Sequence, residues 1–297
     1  MTPSLEAEKR DIIRRQFLNT ADQTYIVARW CFLNRLYLDF YWNAAHCVEK
    51  YLKAALLMNG QSAIRDGSGK SYGHDVPRLY WQVCKFADEL MPDTLECPAN
   101  LNVPRWQDEK PRDFLNRLSV NGEPNNRYNL RGFVKRCDDL HKLDIVVHAI
   151  RRAVQPLNDP HFSSDDRKRR ATTDTNLEFA LKHPSHQPGH LHSRFYKLTN
   201  GKAGEDVRNA GLTQNLPFAP ADFDHGELLS GFAAENPILG LRILETVERP
   251  PSKQDGLMAD LADWAMANIY YPPAVKKQLE EASKTLRKRS TQSASPS

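Results

Sequence analysis

YWNAAHCVEKYLKAALLMNG, residues 41 to 60, is the stretch that decides the fold class. Tyr41, Ala44, Ala45, Val48, Tyr51, Leu52, Ala55 and Leu56 recur at steps of three and four, which gathers them into one apolar stripe on a helix. A stripe that wide predicts burial against other helices. His46, Glu49, Lys50 and Lys53 fall on the opposite, polar face at the same spacing, and Gly60 just past the apolar run supplies a helix stop.

Upstream, Tyr25, Ala28, Cys31, Phe32 and Arg35 form a second helical pattern, with Thr20 or Asp22 placed to give a capping oxygen. Downstream, QSAIRDGSGKSYGH at 61 to 74 is rich in small and polar residues and reads as a loop. Helical phasing resumes with Val76, Leu79, Tyr80, Val83, Phe86, Ala87 and Leu90. Pro77 suits the first turn, where its missing N–H has no intrahelical partner. Prolines 92, 98, 104, 111 and 124 then mark residues 91 to 129 as an insertion in which only DFLNRL looks helical. A fourth helix is expected from about Leu130 to Val154, carrying Phe133, Cys137, Leu140, Val147, Ile150 and Val154 in phase.

After Pro156 the composition changes. NDPHFSSDDRKRRATTD is almost without apolar residues and predicts an exposed linker, so the chain divides into 1–157 and 158–297. Short helices are expected at 174 to 182 and 236 to 249, a better one from Leu257 to Tyr270, and a last one carrying Val275, Leu279, Ala282 and Leu286 before a solvated basic tail. No alternation is long enough for a convincing sheet, so the class is all-α.

Lys plus Arg number 41 against 37 Asp plus Glu, a net charge of +4, which is too small to mark a nucleic-acid binder without a clustered patch. Cys31, Cys47, Cys84, Cys97 and Cys137 contain no C-x-x-C pair and read as reduced. The charged start MTPSLEAEKRDIIRRQ has no apolar signal core, and no run is apolar enough to span a bilayer, so a cytoplasmic location without membrane contact is expected.

ADQTYIVARWCFLNRLYLDFYWNAAHCVEKYLKAALLMNG at 21 to 60, followed by YGHDVPRLYWQV at 72 to 83, resembles the HEPN family: an Ala-Asp start, an A-A-x-x-x-E-K-Y-L-K-A helix, then a His-Asp pair opening the next helix. The pair Arg127 and Tyr128 extends the likeness, which spans about residues 20 to 155; the later half resembles no family. The resemblance implies a bundle of four or five helices that forms a homodimer, often beside a nucleotidyltransferase partner in a toxin-antitoxin setting. It also implies binding of a nucleotide or RNA, or metal-independent RNA cleavage, with no cofactor or metal. A dimeric scaffold without catalysis is the remaining alternative.

Glu49, Lys50 and Lys53, with His74 and Asp75 at the start of the next helix, form the constellation closest to the family pattern. Two lysines near a helix N-terminus suit a phosphate. Equally, Asp75 caps that helix and Glu49 with Lys53 makes an ordinary i,i+4 pair. Catalytic members carry an Arg a few residues before a His, and Arg136 with His141 has that spacing. A His can take a proton from a ribose 2′-hydroxyl while an Arg stabilises charge on the phosphate. On a helix, five positions turn the two about 140° apart. GSGKS at 67 to 71 is no Walker loop, because Ile64 stands where its first glycine belongs. His183, His186, His190 and His192 sit among Pro184, Pro188 and Gly189, and read as a solvated loop rather than a metal site. Arg167 to Arg170 and Arg287 to Arg289 are basic runs that either touch phosphates or solubilise the surface.

Overall fold

A computed structural model describes residues 5–99, 101–162, 171–183, 204–220, 222–227, 231–235, 243–268 and 271–293. Helices dominate it, as the apolar periodicity requires. The chain forms two units: Met1–Glu123 with Lys135–Phe232, and Pro124–Val134 with Ala233–Ser297. This partition differs from a boundary near residue 158, because residues 204 to 220 pack on the first helices rather than apart from them.

In the larger unit the decisive stretch is helix α3 (Tyr37–Met58). Its expected stripe is sealed: Tyr41, Ala44, Val48, Tyr51, Leu52 and Ala55 have no exposed surface. Phe40, Cys47 and Ala54 are equally buried, because α3 touches α2 (Asn19–Leu33), α4 (Val76–Ala87), α5 (Pro111–Asn121) and α6 (Asp139–Arg152). Each large side chain so buried contributes about 2 kcal/mol. Gly60 ends α3 at φ +72°, with its own N–H donating to Leu57 O at 3.2 Å and that of Gln61 to Leu56 O at 2.8 Å. Both bonds satisfy carbonyls that the helix end orphans.

Thr20 and Asp22 do not cap a helix. Helix α1 (Leu5–Ile13) runs through a π-helical turn, Arg14–Leu18, straight into α2, so no free amides exist there to cap. The Thr20 hydroxyl donates back to Gln16 O at 2.7 Å, and Asp22 accepts from the Tyr51 hydroxyl at 2.6 Å and from Arg151 at 2.9 Å. Arg35 lies outside α2, at φ +64°, and closes it as Gly60 closes α3.

Within residues 91 to 129 the DFLNRL segment is α5, which starts at Pro111 and buries Phe114, Leu115 and Leu118. Its C-cap, Gly122, lies so close to α3 that an added Cβ would stand 2.4 Å from Tyr41 O and 2.7 Å from Ala45 Cβ. The expected helix from Leu130 is shorter than its apolar phase implies. Asn129 and Gly132 adopt positive φ, Phe133–Lys135 is a strand, β1, and helix α6 begins only at Asp139. Phe133 and Cys137 matched the helical phase because their side chains are buried for other reasons.

The expected linker also carries structure. Pro160–Phe162 (β2) pairs antiparallel with Ala171–Thr175 (β3), and Thr175 with Glu178 forms a reciprocal cap on α7 (Asn176–Lys182). Helix α8 (Glu205–Leu212) packs on α2.

In the smaller unit β4 (Ala233–Glu235) pairs with β1, and α9 (Glu245–Glu248) precedes α10 (Asp255–Asn268) and α11 (Pro273–Ser293). Ile243, Ala259, Ala262, Leu279 and Leu286 form its core, with Leu130 against them. The expected basic tail is helical through Ser293, because Leu286 is buried and Arg287 pairs with Asp260 at 3.0 Å and with Asp263.

Candidate functional site

The polar row of α3 meets the loop that enters α4. Glu49 sits one turn before Lys53, and its side chain is only 9% exposed. Lys53 Nζ donates to Glu49 Oε1 at 2.6 Å and to Gly73 O at 3.3 Å. His74 arrives from the loop, fixed on one side by buried Val76 and by Asp75, whose carboxylate accepts from Arg78 N–H at 3.0 Å. Its Nδ1 lies 3.0 Å from Glu49 Oε2, which leaves Nε2 as the outer ring nitrogen of a side chain that is 75% exposed. His46 Nδ1 is 3.9 Å from the same carboxylate oxygen.

One buried carboxylate thus gathers three basic side chains. Burial pushes the Glu49 carboxyl up, but hydrogen bonds from Lys53 and His74 outweigh it and hold the group below its ordinary value. Burial lowers His46, and Lys50 adds to that, so its imidazole is neutral at pH 7. A fixed Nδ1 bond selects the tautomer of His74, as a carboxylate does wherever it orients an imidazole.

Glu49, Lys53 and His74 are therefore brought together. Lys50 turns away, its Nζ donating to Thr24 Oγ1 at 2.9 Å on α2. Asp75 is the N-cap of α4, so the helix end that would attract an anion already holds a carboxylate.

Arg136 and His141 are not brought together at an open cleft. Arg136 precedes α6 rather than lying on it, so no helical turn relates the pair; its guanidinium is 3.7 Å from Glu109 Oε2. His141 is 4% exposed, with Nδ1 3.2 Å from Gln214 O. Burial, with Arg29 nearby, pushes its pKa down to about 4. A sealed imidazole cannot reach a ribose hydroxyl.

The GSGKS loop uses its own amides. Ser68 and Lys70 N–H both donate to Asp66 Oδ1, at 3.0 and 3.1 Å, and Arg78 bonds the other carboxylate oxygen. An intramolecular carboxylate fills the place a phosphate would need. His183 stacks on Phe179, while His186, His190, His192 and Arg167 to Arg170 lie outside the described residues. Among the described residues no group of His, Cys, Asp and Glu can hold a metal ion, and no helix is long and apolar enough to cross a membrane. All five cysteines are free. Arg289 donates to Arg249 O at 3.0 Å, so the second basic run is partly engaged.

Two features escaped the sequence. Trp42 stacks on His46, and its place one turn earlier on the same row was the available signal. Asp144 holds a buried cluster with Arg29, Tyr25 and Asn215, for which helical phase gave no sign. Comparison with protein-family models, with curated proteins and with solved structures finds no match for this chain, so the reading of its site rests on this geometry and on the sequence pattern.

Proposed function

We propose that the chain binds phosphate groups of a nucleotide or an RNA on the face formed by His46, Glu49, Lys53 and His74, as a HEPN-like module. The supporting observation is the shared carboxylate: Glu49 fixes Lys53 and His74 side by side at 2.6 and 3.0 Å, with the imidazole largely in solvent. An ammonium has three N–H donors, so Lys53 keeps one after its bonds to Glu49 and Gly73 O, and charge-assisted bonds to phosphate are the strong ones. Pre-positioned donors lose little side-chain freedom when an anion arrives.

Isothermal titration of the full chain with ATP, GTP and a short RNA tests this. Lys53→Ala should weaken binding by about tenfold, the loss of one charge-assisted bond. No heat with any of the three at millimolar concentration would overturn the proposal. Nothing in the geometry favours a nuclease built on Arg136 and His141. The homodimer and the nucleotidyltransferase partner belong to the same HEPN-like reading, and a monomer in sedimentation that recovers no such partner would remove them.

A further inference from the structure

Trp42 and His46 lie one turn apart on α3 with their rings nearly parallel, 10° between planes and 5.6 Å between centroids. The stack is not sealed: Trp42 is half-buried, and the His46 side chain is 38% exposed. Glu49 and Lys53 continue the same row, so an aromatic pair leads directly into the cationic group. From His46 to Lys53 the helix rises about 10 Å. That is the scale on which a nucleotide separates its base from its outer phosphate.

We propose that Trp42 and His46 form a stacking platform for an unpaired nucleobase whose phosphate meets Lys53 and His74, so that the site selects nucleotides or single strands over polyphosphate alone. The inference rests on the phosphate-binding reading above and adds the part that chooses the ligand. Every base has a π face, so stacking recognises a base without reading its edge, while the neighbouring cations hold the backbone. His46 suits this role at neutral pH, since its neutral ring stacks without a charge to desolvate. A stack that served only to cover the helix would leave ligand choice untouched.

Titration of the full chain with tripolyphosphate, with ATP and with a single-stranded RNA of about eight nucleotides separates the two ideas. ATP should bind about tenfold more tightly than tripolyphosphate, the worth of one stacked base. Trp42→Leu should abolish that preference, bringing both ligands to a common weak affinity, and Trp42→Phe should restore most of it. Equal binding of ATP and tripolyphosphate by the native chain overturns the platform while leaving the phosphate site standing. So does a preference that survives Trp42→Leu. Failure of all three ligands to bind removes both readings.

Discussion

Asp144 and Glu49 each hold a basic partner through a carboxylate, yet the two clusters are opposite in kind. Around Asp144 everything is closed. Arg29 and the Tyr25 hydroxyl donate to its two oxygens, Arg29 spends its other donors on Ala210 O at 2.9 Å and on Thr213 O, and Asn215 bonds the Tyr25 oxygen at 3.0 Å. All four side chains have no exposed surface. Burial pushes the Asp144 carboxyl up to about 6, against the pull of Arg29 and Tyr25. Around Glu49 the balance is reversed, because Lys53 and His74 outweigh a smaller desolvation and the imidazole stands in solvent. A carboxylate whose partners are all walled in is a strut. One whose partners face water has donors left to offer.

The largest effect should come from breaking the strut. Arg29 ties α2 to α6, to α8 and to the residue just after α8 through side-chain and carbonyl bonds at once. Arg29→Met removes the pull that keeps the buried Asp144 carboxyl down, so that group must take up a proton to stay folded, and the Ala210 and Thr213 carbonyls lose their donor; the change should cost about 3 to 5 kcal/mol in denaturant unfolding. Replacing both partners, as Arg29→Met with Asp144→Leu, should recover part of that loss, since the unpaired buried carboxyl is gone. A single variant within ~1 kcal/mol of native would show that the two clusters do not differ as described.

Next in size is the response of the sealed side to acid. His141 folds as a neutral ring with its pKa pushed from 6.5 down to about 4, so the unfolded chain takes up the proton first. The stability tied to this group is complete above 6.5 and is lost as pH falls toward 4. His141→Gln removes that loss. Its destabilisation relative to native, measured at pH 7, should shrink by roughly 3 kcal/mol by pH 4. A penalty that stays constant over this range would mean the ring is not held neutral in the folded chain.

The same contrast explains what the sequence disclosed. Helix α3 was legible because its apolar residues repeat without interruption and a glycine stands at its stop. Glu49, Lys53 and His74 could be grouped because two lie one turn apart and the third opens the next helix. Helix α6 hid its environment: Asp139, His141, Lys142, Asp144 and His148 look like a solvated face but are buried. Their burial comes from partners distant in the chain, such as Gln214 beside His141 and Tyr25 on Asp144, and no local period encodes such contacts. The start of α6 was misplaced for a related reason. Phe133 is buried on a short strand and Cys137 in the turn that follows it, and their four-residue spacing mimics a helical phase. Arg136 and His141 match the catalytic pattern of the HEPN resemblance by residue type and spacing, and neither carries information about which side is open.

The smallest stability change, and the sharpest discrimination, belongs to Glu49→Gln. The amide keeps the shape and one acceptor, so Lys53 and His74 lose a charge partner but not a neighbour. Lys53 is partly exposed and His74 largely so, and an ion pair whose basic partner reaches water contributes at most about 1 kcal/mol. Unfolding stability should therefore fall by ~1 kcal/mol or less, far below the Arg29→Met loss. Anion binding should move the other way. Without the carboxylate the Lys53 charge is no longer neutralised, and tripolyphosphate should bind several-fold more tightly, with the gain fading as salt rises. A stability loss matching that of Arg29→Met would class Glu49 as a second strut. Weaker tripolyphosphate binding would instead make the carboxylate a necessary brace for the cations, rather than the charge that tempers them.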